Sequence, residues 1–114
     1  MFTVLTVGNN TYNLKLNARS CINLEKALGR NPVSVFMEID PDNGKLPSAE
    51  TVITMLQACL APMNHGMDMN KTFDLYDQYV EEGHTMYDLI PLFVEVFQNS
   101  GYLPKQGEET AEKN

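Results

Sequence analysis

The sequence predicts an α+β protein that is mainly α, in which an N-terminal β-hairpin packs on a bundle of about five short helices. Two strand-like runs at the N-terminus flank Gly8-Asn9-Asn10, and a Gly-Asn turn of this kind favours a hairpin. From Asn17 onward, apolar residues recur every three or four positions, which is helical spacing. A chain of 114 residues is long enough for one domain with one core, which we place at residues 1–103.

The hairpin is predicted at residues 2–16. In its second run, Tyr12, Leu14 and Leu16 alternate with polar residues, so one face of this strand is apolar. Because a two-stranded hairpin is at best marginally stable alone in water, we expect its apolar face to lie on the helices.

The first two helices are predicted at residues 17–28 and 32–38. Asn17 is suited to cap the first helix and Gly29 to end it. The second helix begins at Asn31-Pro32, with proline at the first helical position, which it favours. The residues expected to face inward on these two helices are Ala18, Cys21, Ile22, Leu24, Leu28, Val33, Phe36 and Met37.

The loop after the second helix resembles part of a calcium-binding EF-hand. If Gly44 takes the sixth position of such a loop, the first and third positions fall on Ile39 and Pro41, which have no side-chain oxygen. Asp40 and Asp42 are one residue out of register. We therefore interpret the segment as an ordinary turn and expect no metal site.

Three further helices are predicted at residues 48–61, 69–82 and 86–100, packed as consecutive antiparallel neighbours. Pro91 falls inside the last helix, which either begins near Asp88 or is kinked at the proline. The residues expected to face inward on the first and last of the three are Val52, Met55, Leu56, Cys59, Leu60, Met63, Met86, Leu89, Ile90, Phe93, Val96 and Phe97.

The C-terminal end of the last helix is predicted at Gly101, with Tyr102 placed for the hydrophobic contact of a Schellman motif. Residues 104–114 are polar and rich in glutamate, and we expect them to form a flexible tail.

The helix at residues 69–82, which Asp68 is suited to cap, has more apolar surface than one core needs. The row Met69, Phe73, Tyr76 and Val80 has the spacing of a buried face. A second row, Leu75 and Tyr79, is therefore predicted to be exposed and to serve either self-assembly or binding of a partner. The residues predicted to bind a partner are Met69, Leu75, Tyr79, Asp74, Asp77, Glu81 and Glu82.

The net charge of −7 is unevenly distributed. Residues 1–45 hold five basic and four acidic residues, whereas residues 46–104 hold one basic and eight acidic residues. Such a chain repels phosphate, which argues against binding of nucleic acid or an anionic membrane. The asymmetry suits head-to-tail self-association or capture of a basic partner, and a purely solubilising acidic surface is the third interpretation.

The sequence contains no recognisable catalytic, cofactor-binding or metal-binding motif. The P-loop, Gly-x-Gly-x-x-Gly and Gly-x-Ser-x-Gly patterns are absent, and His65 and His84 fall at predicted helix ends, where a structural role is common. Cys21 and Cys59 lie on apolar helix rows and are expected to be buried free thiols in a reducing cytoplasm. With no signal-peptide pattern and no membrane-length apolar run, we expect a non-enzymatic, intracellular protein without a cofactor.

Four segments together resemble the tail assembly chaperones of long-tailed, siphovirus-type phages and prophages of Gram-positive bacteria. The resemblance covers about residues 1–103 and consists of weak patterns in a consistent order. The segments are Thr11–Ser20 (TYNLKLNARS), Leu24–Pro32 (LEKALGRNP), Leu60–Gly66 (LAPMNHG) and Phe73–Gly83 (FDLYDQYVEEG).

This resemblance implies a mainly helical viral protein of the host cytoplasm that is absent from the mature virion. Such chaperones are thought to bind and solubilise the tape measure protein during tail morphogenesis and to self-associate into dimers, rings or spirals. The alternative function is a small acidic interaction module, a regulator or inhibitor, that captures a basic partner.

The resemblance also implies a longer form made by programmed −1 ribosomal frameshifting. The chain ends Glu112-Lys113-Asn114. If these codons are GAA-AAA-AAC, they contain the slippery heptamer A-AAA-AAC. We therefore hypothesise that this chain is the short form, and a GAG or AAG codon would contradict that hypothesis.

Overall fold

A computed structural model describes residues 2–104, so all but the first residue of the predicted tail lies outside the described part. The two-stranded hairpin followed by five helices confirms the predicted fold class. In chain order the elements are β1 (Thr3–Val7), β2 (Asn10–Leu14), α1 (Ala18–Leu28), α2 (Pro32–Met37), α3 (Ala49–Leu60), α4 (Met69–Glu81) and α5 (Leu89–Asn99).

The hairpin strands β1 and β2 are antiparallel, with Thr3 opposite Leu14 and Leu5 opposite Tyr12. The predicted alternation is confirmed, because Leu14 and Leu16 are buried while Lys15 is exposed. The Thr3 hydroxyl donates a hydrogen bond of 2.7 Å to Glu95 of α5. The hairpin is therefore held on the helices by its apolar face and by a polar contact at its first residue.

Helix α3 is the centre of the fold. It packs against α1, α4, α5 and β2, and the Lys15 N–H donates to the Cys59 carbonyl at 2.9 Å. Helices α3 and α4 pack against each other, as predicted for consecutive helices, whereas α5 packs on α3 and β1 rather than on α4. The fully buried residues of α3 are Val52, Met55, Leu56, Cys59 and Leu60.

The helix ends follow the predicted capping residues. The Asn17 side chain accepts a hydrogen bond from the Ser20 N–H at 2.9 Å, and α1 ends at Gly29. At the end of α5, the Tyr102 N–H donates to the Phe97 carbonyl at 2.9 Å, and the two rings are in contact. This is the predicted Schellman motif with its hydrophobic contact.

Helix α5 begins at Leu89 rather than at residue 86. A 3-10 turn at Met86–Asp88 precedes it, and the Thr85 N–H donates to the Asp88 carboxylate at 2.9 Å. Pro91 is the third residue of the helix. A backbone N–H at this position makes no intrahelical hydrogen bond, so the absence of an N–H in proline costs none. The first of the two sequence interpretations of Pro91 is therefore correct.

Four residues predicted to face inward, Ala18, Ile22, Met37 and Met63, are exposed. Helix α1 instead buries Ser20 with Cys21 and Leu24. The Ser20 hydroxyl exchanges hydrogen bonds with the Asn17 backbone, so its burial leaves no polar group unpaired. Met37, the last residue of α2, is 79% exposed, because it lies at the end of the helix, past the buried Val35.

Cys21 and Cys59 are both buried free thiols, as predicted. Burial raises the pKa of each thiol, most strongly for Cys59. At Cys21 a hydrogen bond with the Tyr102 side chain opposes the effect of burial on the pKa. None of the helices within residues 2–104 has the length and apolar character that a membrane-spanning helix needs.

Candidate interaction surface on helix α4

Helix α4 turns a different face to the core from the one predicted. Leu75 and Tyr79, predicted to be exposed, are only 6% and 5% exposed. Phe73 and Val80, predicted to be buried, are 45% and 40% exposed. The predicted facing of this helix is therefore wrong, and Leu75 and Tyr79 stabilise the fold rather than lie on its surface.

The burial of Thr72 accounts for the side that α4 turns toward the core. This residue lies three residues before Leu75 and seven before Tyr79, so the three share one side of the helix, and Thr72 is completely buried. Its hydroxyl donates to the Asp68 carbonyl at 2.8 Å. Because that hydrogen bond is made within the first turn, the hydroxyl can be buried without an unpaired donor.

The apolar residues that the sequence predicts to be buried form an apolar strip along one side of α4. We call Met69, Phe73, Tyr76 and Val80 the apolar row. Met69 and Tyr76 are half-buried, and Tyr76 packs against the edge of the core. Because Phe73 and Val80 are exposed, the row forms an apolar surface beside the core, with no covering segment among residues 2–104.

A row of acidic residues borders this apolar row. We call Asp74, Asp77 and Glu81 the acidic row, since their spacing of three and four residues places them side by side on the helix. All three are exposed. Among the residues that the structure describes, no lysine or arginine forms an ion pair with any of them.

Two residues of the acidic row, Asp77 and Glu81, are also unfavourably placed on their own helix. The C-terminal end of a helix carries partial negative charge, which nearby carboxylates destabilise. The last turn of α4 contains no basic residue. Asp77 and Glu81 are in addition like charges four residues apart, an arrangement that weakens a helix. We therefore expect Asp77 and Glu81 to lower the stability of the isolated chain.

Glu82, also predicted to bind a partner, lies away from the acidic row. Its carboxylate accepts a hydrogen bond from the Gln78 side chain at 3.2 Å. Both side chains lie next to Gly8 in the hairpin turn. Gln78 and Val80 are two residues apart and so point to opposite sides of the helix. Of the seven predicted residues, Met69, Asp74, Asp77 and Glu81 therefore remain on the candidate surface.

Tyr79 forms part of a small aromatic cluster at the C-terminal end of α4. Its ring stacks on His84 with centroids 4.3 Å apart. Burial, assisted by the nearby Asp88 carboxylate, raises the pKa of the Tyr79 hydroxyl. The His84 ring lies 3.8 Å from Asp88, so His84 connects the end of α4 to the turn before α5.

A second candidate surface is a groove beside α2. It lies between the end of α1, helix α2 and the segment leading into α3, and the exposed Leu46 and Met37 both line it. Its charges have both signs, with Arg30 paired to Glu38 and with Lys45 nearby. This mixed charge gives the groove no preference for a basic or an acidic partner.

The predicted turn at Asp40–Gly44 contains a short 3-10 turn at Pro41–Asn43. The Asn43 side chain donates to the Asp40 carboxylate at 2.7 Å, and Asp40 and Lys45 form an isolated β-bridge. Within residues 2–104, no three His, Cys, Asp or Glu side chains converge as metal ligands.

The sequence identified both rows of α4 but exchanged their roles, so it missed Phe73, Tyr76 and Val80 as surface residues. Thr72 was the available signal. A threonine four residues after a helix-capping aspartate can bond to the capping carbonyl and be buried. Counting Thr72 as apolar would have given Thr72, Leu75 and Tyr79 the spacing of an inward face.

Comparison with curated proteins finds no match, and no solved structure matches the chain. One family model, described as a family of unknown function (DUF6096), matches residues 2–114. That match spans nearly the whole chain, including the hairpin and all of α4. The protein is therefore a member of the DUF6096 family.

Proposed function

We propose that this protein is a phage tail assembly chaperone, which binds and solubilises the tape measure protein without catalysing a reaction. The observation that carries the proposal is the apolar row of α4, where Phe73 and Val80 are exposed beside the core. A tape measure protein is long, helical and apolar, and such a segment needs an apolar surface until the tail tube surrounds it.

Three further features support the proposal. The segment Phe73–Gly83, which carries part of the resemblance to tail assembly chaperones, includes most of the apolar row. The mainly helical fold agrees with what that resemblance implies. The excess of acidic residues in positions 46–104 suits contact with a basic protein. We place the protein in the host cytoplasm and outside the mature virion.

Co-expression with the tape measure protein of the same phage or prophage tests this function. We expect the tape measure protein to shift from the insoluble to the soluble fraction and to co-purify with the chain. Phe73→Ser should abolish the shift. Phe2→Ser is a matched control, because Phe2 is also 45% exposed but lies outside α4. No gain in tape measure solubility with the native chain would contradict the proposal.

The acidic row favours a second candidate function, capture of a different basic protein by a small regulator or inhibitor. Exposed carboxylates that extend from the middle of a helix to its C-terminal end suit any cationic partner. A strictly monomeric chain that leaves the tape measure protein insoluble and binds another basic protein through the acidic row would favour this candidate over the chaperone.

A further inference from the structure

We infer that the segment recognised by α4 is a basic amphipathic helix, whose apolar side covers the apolar row and whose lysines or arginines pair with the acidic row. This inference rests on the proposed function and specifies the chemistry of the partner. It requires that one face of the chain offer apolar contact and negative charge side by side.

The geometry of α4 meets this requirement. Residues four apart are neighbours on a helix surface, so Asp77 lies next to Phe73 and Glu81 lies next to Asp77. The carboxylates therefore line the solvent side of the apolar row, while the core lies along its other side. A partner helix that packs on the apolar row places its apolar residues against Phe73 and Val80. Its lysines or arginines then lie beside the carboxylates.

Charge complementarity determines the sign of the partner. No lysine or arginine among residues 2–104 pairs with the acidic row, and the helix dipole adds further negative potential at this end of α4. Cations supplied by a partner relieve both the mutual repulsion of the carboxylates and their unfavourable position. The groove beside α2 lacks this property, because its charges have both signs.

Two peptides and two variants test the inference. The peptides are synthetic helices of about 18 residues with the same leucine row, one flanked by lysines and the other by glutamines. The first variant is Asp74→Asn/Asp77→Asn/Glu81→Gln. The matched control is Glu25→Gln/Asp42→Asn/Glu50→Gln, which changes the net charge equally at three exposed positions outside α4. Peptide binding is measured by fluorescence anisotropy at low and high salt.

We expect the lysine peptide to bind the native chain and the control variant with similar affinity, and to bind the α4 variant at least tenfold more weakly. Added salt should weaken binding to the native chain more than binding to the α4 variant. Equal binding of both peptides, or an equal loss of affinity in both variants, would overturn the inference.

The same variants co-expressed with the tape measure protein separate this inference from the proposed function. If the α4 charge variant still solubilises the tape measure protein and Phe73→Ser does not, the chaperone function stands. The assignment of a basic partner helix to the acidic row then fails. If no form of the chain holds the tape measure protein while the lysine peptide binds as expected, the function fails. Dissociation of an oligomer by Phe73→Ser would show a second copy on the row and would overturn the inference.

Discussion

Tyr79 and Phe73 are aromatic residues on the same helix with nearly opposite environments. Tyr79 is 5% exposed and stacks on His84, whereas Phe73 is 45% exposed. We expect Tyr79→Ala to lower the free energy of unfolding by about 3–5 kcal/mol, as for a truncated core aromatic. Phe73→Ala should cost less than about 1 kcal/mol. Urea denaturation measures both values, and the reverse order would restore the facing that the sequence predicts.

The Cys59 thiol links stability to alkaline pH. Burial raises its pKa well above the ordinary value of 9.0, so the folded chain holds a proton that the unfolded chain releases. The contribution of this proton to stability is therefore fully present below pH 9. Above pH 9 the free energy of unfolding falls by about 1.4 kcal/mol per pH unit.

Urea denaturation between pH 8 and pH 10 tests this linkage. Cys59→Ala should flatten the fall in unfolding free energy across that range. Cys21→Ala should flatten it less, because a hydrogen bond with Tyr102 opposes the upward shift of the Cys21 pKa. An unchanged slope in Cys59→Ala would show that the thiol does not carry the pH dependence.

At the scale of single elements, the position of a charge along a helix determines its effect on stability. Asp77 lies in the C-terminal half of α4, whereas Glu50 lies in the first turn of α3. Asp77→Asn should therefore raise the free energy of unfolding by about 0.3–1 kcal/mol at low salt, and Glu50→Gln should lower it by a similar amount. Both effects should shrink at high salt. Stabilisation by Glu50→Gln and destabilisation by Asp77→Asn would contradict this account of α4.

Local signals explain which elements could be predicted from the sequence. The hairpin follows from Gly8-Asn9-Asn10 and strict alternation, and the ends of α1 follow from Asn17 and Gly29. Each of these signals acts within a few residues. They do not depend on which helix lies against which, so the sequence alone was sufficient to place them.

The facing of α4 depends on tertiary packing, and here the sequence prediction failed. Two apolar rows of similar hydrophobicity compete for the core, and Thr72 contributes to one of them while counting as polar. The internal hydrogen bond from Thr72 to Asp68 removes the cost of burial. Met37 was misplaced for a related reason, because helical spacing does not reveal that α2 ends at that residue.

For the whole molecule, the separation of charge along the chain bears on assembly. Carboxylates outside the acidic row, including Glu50, Asp68 and Asp88, are exposed, and so are Arg19 and Lys26 of α1. We expect head-to-tail contact between copies, with a weight-average mass that rises with protein concentration and falls when salt is added. Sedimentation measurements test this. A monomer at every accessible concentration would contradict self-association.

The methionines provide built-in probes of where the tape measure protein binds. Met69 belongs to the apolar row, Met37 lies in the groove beside α2, and Met55 is buried in the core. Labelling the methionine methyl groups with carbon-13 and adding a tape measure fragment tests the central claim directly by nuclear magnetic resonance. We predict that the Met69 resonance shifts while those of Met37 and Met55 stay in place. A shift of Met37 with Met69 unchanged, or no shift at saturating fragment, would contradict the assignment of α4 as the binding surface.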